Sequence, residues 1–284
     1  MRTVRLSFRT GMLRPGEVLD GHVIVSCDEP FNPNRVGIRI TGLETTEITL
    51  GDDTYRDTYT HISEYLVLSE APEIRDGDTA YPFEFTIPKG IPRSYDGNNS
   101  KIKYHAKAIV EVDWRPDPTH TQEFFVVPHS PPFIQLPAEP HPVSGGWGPL
   151  SVLLPTGVLQ IGKGLHVKMM IQQKKNVDRI LVSLAERVVY TCRGHEGKSE
   201  RTIITMSRNI GPDDFGRWLD CWIGEHWDNQ VPIDSRLITV DYIVKAVLGV
   251  KWNKDPSLSL PIRISGPDPI EDVLDEIELD LGMA

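Results

Sequence analysis

The residues of this chain best suited to hold a metal are Cys192, His195, Cys221 and His226, a Cys-x-x-His pair followed by a second cysteine and histidine. Zinc favours thiolate and imidazole ligands, but these intervals fit no common zinc module and the sequence between them is charged. No metal and no cofactor is expected. Catalytic signatures are equally thin. Gly162-Lys163-Gly164 lacks the third glycine and the strand-to-helix setting of a dinucleotide loop, and Ser94-Tyr95-Asp96 sits in a turn. The nine histidines are scattered. The expectation is a protein without a catalytic site.

The arginines near the start imply a different chemistry. From Thr3 to Thr10, Val4, Leu6 and Phe8 alternate with Arg5, Ser7 and Arg9, and Arg2 and Arg14 flank the run. Strict alternation places one set on each face of a strand. A row of arginines either discourages edge-to-edge aggregation or offers planar forks to carboxylate and phosphate. Arg2, Arg5, Arg9 and Arg14 are therefore candidate contacts for an acidic or phosphorylated peptide.

The elements that would carry these residues read as strands. Around Gly77 to Trp114, Tyr81, Phe83 and Phe85 alternate with Pro82, Glu84 and Thr86. Pro88, Gly90 and Pro92 then exclude a helix, and Asp96-Gly97-Asn98-Asn99 marks a turn before a long strand from Ile102. That strand is echoed. Tyr104, Lys107, Ala108, Val112 and Trp114 recur as Tyr242, Lys245, Ala246, Val250 and Trp252 at identical spacing. His22-Val23, followed by Arg35, recurs as His166-Val167, followed by Arg179. A repeat of domain size points to a duplicated sandwich. Two polar stretches, 51–64 and 194–201, read as exposed loops or hairpins. Trp218, Trp222 and Trp227, near helical spacing, read as core.

Composition agrees with an all-β protein. The 284 residues include 23 Pro and 23 Gly, 39% hydrophobic and 25% charged, an ordinary globular balance. Three cysteines are too few for a disulfide framework, so a reducing, cytoplasmic setting is expected. No apolar run reaches the roughly 18 residues of a membrane helix, and no leader pattern opens the sequence. The formal charge is −10, but residues 267–284 hold seven acids and no base, so the remainder is near neutral at −3. That balance lacks the basic excess of a nucleic-acid module. Within the acidic tail, Ile270, Val273, Leu274, Ile277 and Leu281 follow the apolar stripe of a helix, while Ile277, Leu279 and Leu281 also alternate as a strand would. Either form could dock on the Arg5/Arg9 strip or on a partner.

An ordered series of motifs resembles the arrestin-fold superfamily. In the first half these are Pro15-Gly16-Glu17-x-x-x-Gly21-x-Val23, Val36-x-Ile38-x-Ile40-x-Gly42, and Tyr81-Pro82-Phe83-x-Phe85-x-Ile87-Pro88-x-x-Ile91-Pro92-x-Ser94-Tyr95-x-Gly97. In the second half, Val231-Pro232, Ile238-x-Val240-x-Tyr242-x-Val244-x-Ala246 and Leu258-x-Leu260-Pro261-Ile262 are similar to the C-terminal arrestin pattern. The resemblance implies two tandem immunoglobulin-like β-sandwiches, at 1–135 and 157–266, with a Pro-rich linker over 136–156 and an acidic tail over 267–284. It further implies a non-catalytic adaptor for cytoplasmic segments of membrane proteins or for trafficking and signalling components. No Pro-Pro-x-Tyr motif for ubiquitin-ligase recruitment is present. Two alternatives remain at this point: a sandwich that binds a sugar or small ligand through exposed aromatics, and a prokaryotic sporulation-control-like member of the superfamily.

Overall fold

The computed structural model describes residues 2–113, 116–135, 143–172, 177–223, 231–250 and 255–267. It divides into two compact units. Unit 1 comprises Met1–His129 with two later segments, Tyr190–Gly197 and Asp234–Ile238; unit 2 comprises Ser130–Val189, Lys198–Ile233 and Thr239–Ala284.

The first half of the chain supplies β1 (Arg2–Phe8), β2 (Met12–Leu13), β3 (Val18–Cys27), β4 (Arg35–Leu50), β5 (Asp53–Glu70), β6 (Gly77–Thr86), β7 (Tyr95–Asp96), β8 (Ser100–Glu111) and β9 (Thr119–Val126). They form a three-stranded sheet, β1-β3-β6, and a larger one, β2-β9-β8-β4-β5, with β7 on β8. Apolar alternation sets the inner faces: Val4 and Leu6 of β1, Val23 and Val25 of β3, and Ile38 and Ile40 of β4 are buried. Phe8 meets Phe83 and Phe124 edge-on, at centroid distances of 6.3 and 6.4 Å, joining the two sheets. Pro82 is tolerated because β6 is an edge strand. Tyr104 is fully buried and donates its hydroxyl to the Pro92 carbonyl at 2.7 Å. Opposite it in register stands Gly42, where a Cβ would strike the ring. Burial and the nearby Glu44 charge push the Tyr104 phenol upward, so it stays protonated.

The second half supplies β10 (Val143–Trp147), β11 (Leu150–Leu154), β12 (Val158–Gln160), β13 (Leu165–Ile171), β14 (Val177–Cys192), β15 (His195–Asn209), β16 (Trp218–Ile223), β17 (Ile233–Asp234), β18 (Ile238–Val250) and β19 (Ser257–Ser265). The sheets are β10-β11-β13-β16 and β12-β19-β18-β14-β15, with β17 on β18. The larger sheet duplicates that of the first half, and β11-β13-β16 matches β1-β3-β6 with β10 added at the edge. Parallel pairing of β2 with β9 returns as β12 with β19, and β7 on β8 returns as β17 on β18. Tyr104 and Tyr242 are each the fifth residue of their strand and each buried. The fold is thus all-β, with two pairs of sheets and one 3₁₀ turn, Pro212–Asp214, among the described residues.

The polar stretch 51–64, expected as an exposed loop or hairpin, is the turn and return strand of a hairpin: β5 pairs with β4 from Arg35↔Glu70 to Leu50↔Asp53, and as an edge strand it tolerates polar side chains on both faces. Two local expectations change. Within 136–156, expected as connector, Leu150, Val152 and Leu154 alternate and are buried, so β10 and β11 form a hairpin about Gly148 (φ +57°). The tryptophans lie on a strand. A spacing of four fits both a helical turn and two strand repeats, and β16 places Trp218 and Trp222 on its outer face, 44% and 59% exposed. Trp227 lies outside the described residues.

Candidate functional site

The arginine strip begins on β1, an edge strand paired with β3 alone among the described strands. Register runs from Arg2↔Cys27 to Phe8↔Gly21, and Gly21 is required there because a Cβ would overlap the Ser7 carbonyl oxygen. Parity then sorts the four arginines. Arg5 and Arg9 share the outer face with Ser7, opposite the buried Val4 and Leu6. Arg9 is exposed and pairs with Asp20 at 3.1 Å; Arg5 is exposed and has no ion pair among the described residues. Arg2 has the other parity, and its guanidinium lies 4.2 Å from the Phe31 ring centroid. Arg14 belongs to the turn before β3, where its backbone N–H donates to Glu17 Oε2 at 2.7 Å and Gly16 has φ +93°. The structure therefore brings together Arg5 and Arg9, about 13 Å apart along the strand, and not all four. The tail residues Ile270, Val273, Leu274, Ile277 and Leu281 lie outside the described residues.

The hydrogen-bonding edge of β1 is not bare. Arg9 N–H donates to Asp20 O, so odd-numbered residues pair with β3 and the N–H of Leu6 points away from it. That N–H donates to Nδ1 of His120 on β9 at 3.3 Å.

Further cations went unnoticed in the sequence. Lys101, Lys103, His105 and Lys107 lie on the outer face of β8 as a K-x-K-x-H-x-K alternation, and that pattern could have revealed them. Lys101 and Lys103 pair with Asp96, and Lys103 also with Glu123. Lys107 stands opposite Arg39 of β4.

A second cluster in unit 1 was invisible to local spacing. Glu44 is fully buried on β4. Its Oε2 accepts from Ser235 Oγ at 2.8 Å and meets His61 Nε2 at 2.9 Å, and its Oε1 accepts the Leu237 N–H at 2.8 Å. Burial alone would raise this carboxyl; the bonds from His61, Ser235 and Leu237 outweigh it and hold the group below the usual range. Serine, histidine and glutamate meet here without the geometry of a nucleophile relay. Hydroxyl and imidazole both aim at one carboxylate oxygen, and the Ser235–His61 separation is 3.4 Å. The arrangement fastens segment 234–238 within unit 1.

Metal chemistry finds no counterpart among the described residues, where no three His, Cys, Asp or Glu side chains converge. Cys27, Cys192 and Cys221 are free and buried, and His226 lies outside the described residues.

Unit 2 offers one apolar recess of about 270 Å³, lined by Met169, Ile180, Val182, Met206, Cys221 and Trp222, among others. Trp222 stacks on His166 with centroids 4.7 Å apart and planes within 9°. His166 in turn meets Asp220 at 2.6 Å. Trp222→Phe is expected to remove an iodide-quenchable component of the fluorescence; an unchanged quenching slope would show that the ring is shielded.

Comparison with known proteins bears on these strands directly. Residues 2–130 match the family described as Arrestin (or S-antigen), N-terminal domain. The first part of the chain is therefore similar to an arrestin N-terminal domain. A relative, Arrestin domain-containing protein 17 of Caenorhabditis elegans, is 27% identical over 129 residues, 39% of this chain. The match spans 30% of that relative's own length. No helix among the described residues is long and apolar enough to cross a membrane.

Proposed function

We propose that this protein is a non-catalytic, arrestin-like adaptor whose β1 edge docks an extended acidic or phosphorylated segment of a partner protein. The observation that carries the reading is Arg5, exposed and without an ion pair among the described residues on the outer face of an edge strand, with Arg9 the next arginine along that face. An added strand would gain backbone hydrogen bonds, while the two guanidinium forks select for carboxylate or phosphate. The partners are cytoplasmic segments of membrane proteins or trafficking and signalling components, in a cytoplasmic setting. The tail 267–284, with seven acids, is an in-chain competitor for the same strip.

Titration of an acidic or phosphorylated peptide into the full chain tests this. Changing both Arg5 and Arg9 to Ala is expected to weaken binding about tenfold, the loss of two exposed charge-assisted contacts. Affinity indifferent to both substitutions rejects the strip.

A second reading, a module for a small ligand, is favoured by the exposed Trp218 and Trp222 beside the apolar recess of unit 2. Shifts in tryptophan fluorescence on titration with sugars or small apolar compounds, lost in Trp222→Phe, would favour it over the adaptor.

A further inference from the structure

The free edge of β1 carries a device that the docking reading does not require. The Leu6 N–H, turned away from β3, is capped by Nδ1 of His120 at 3.3 Å. An incoming strand needs that same donor. We propose that His120 bolts this edge, and that an extended acidic segment of a partner protein pairs with β1 once the imidazole has taken up a proton. The inference rests on the proposed docking at β1.

The chemistry follows from the acceptor. A ring nitrogen accepts a hydrogen bond only while it carries no proton; the neutral ring with its hydrogen on Nε2 caps Leu6, and the doubly protonated ring cannot. Imidazole gains that second proton between about pH 8 and 5, a change few other side chains make in that range. Acid therefore uncaps the edge and adds a positive charge beside it, and both effects favour an anionic strand. The cap also covers a backbone donor on an edge strand that carries two buried apolar residues, Val4 and Leu6.

His120 shares the inner face of β9 with Gln122 and the buried Phe124, and its register partner on β8 is Ala108. The charged groups of the adjoining strands, Arg5, Lys107 and Glu123, have the outer parity. In the β8–β9 connection, Asp113 accepts from Asn34 and Asp117 from the Val112 N–H. The outer face of β3 presents His22 opposite Ser7, so it is changed to Gln in a control.

The test uses the full chain and a fluorescent peptide of alternating Glu and Val, whose carboxylates stay largely ionised at pH 5.5. For the unaltered chain, affinity is expected to rise about fivefold from pH 7.5 to 5.5, matching one displaced hydrogen bond. His120→Ala should bind at the higher affinity at both pH values. His120→Gln, which keeps an acceptor that does not titrate, should stay weak at both. Exchange of the Leu6 amide, corrected for intrinsic rates, should be faster in His120→Ala at pH 7.5. Identical pH profiles for the unaltered chain and His120→Ala, with Arg5 and Arg9 still required, would overturn the bolt and leave docking intact. Faster Leu6 exchange in His120→Ala with no peptide bound at either pH would overturn docking, and the acidic occupant with it. A rise with acid that is lost in His22→Gln and kept in His120→Ala would overturn the assignment to His120.

Discussion

Glu44→Ala is expected to destabilise unit 1 by about 3 kcal/mol, because it strands three polar groups that now converge on one buried carboxylate. The Leu237 N–H loses its acceptor at 2.8 Å, and Ser235 and His61 lose the oxygen they share. Glu44→Gln should cost less, since its oxygen can still accept the Leu237 N–H while its NH₂ turns to the Ser235 hydroxyl. The pH dependence has a definite sign. The folded carboxyl is held below its ordinary value of 4.5, so its contribution is fully present above that value and is lost as pH falls through the folded one. The stability gap between the unaltered chain and Glu44→Ala should therefore be widest at neutral pH and close progressively below about pH 4.5. Urea unfolding with hydrogen exchange at Leu237 measures both. A gap under about 1 kcal/mol, or one that widens in acid, would contradict the account.

Gly21→Ala should be comparably damaging for a different reason. The added Cβ would overlap the Ser7 carbonyl oxygen and sit 3.1 Å from the Phe8 Cα, both backbone atoms that cannot rotate aside. β1 must shift off β3, at a cost of about 3 kcal/mol typical of overpacking. Because β1 carries Arg5 and the capped Leu6 and leads directly into Arg9, peptide binding should fall along with stability. Gly11→Ala is the matched control: nothing lies within 4 Å of its Cβ, and its stability should stay within about 0.5 kcal/mol of the unaltered chain. Equal denaturant midpoints for the two variants would show that β1 relaxes without cost.

Period-two patterning made the strands legible, and the repeats made the duplication legible. Tyr104 and Tyr242 could be matched because a side chain that fills a sandwich must recur where the sandwich recurs. Arg5 and Arg9 were legible from alternation, but Arg2 was not separable from them without its parity and Phe31 beneath it. Glu44 was hidden because its partners lie 17 residues away at His61 and 191 away at Ser235, and no local spacing encodes such a meeting. The His120 cap, 114 residues from Leu6, was hidden likewise. β10 and β11 were masked by neighbouring proline and glycine, and the tryptophans by a spacing that two periodicities share.

The three buried thiols give the molecule an internal stopwatch. Cys27 donates to the Arg75 carbonyl and Cys192 to that of Thr46, both in unit 1, while Cys221 serves unit 2, its thiol pushed up by burial. A thiol reagent reaches Cys27 and Cys192 only when the first sandwich opens, whereas Cys221 lines the recess of unit 2. Modification followed residue by residue thus separates the breathing of unit 1 from access through that recess, without any introduced label.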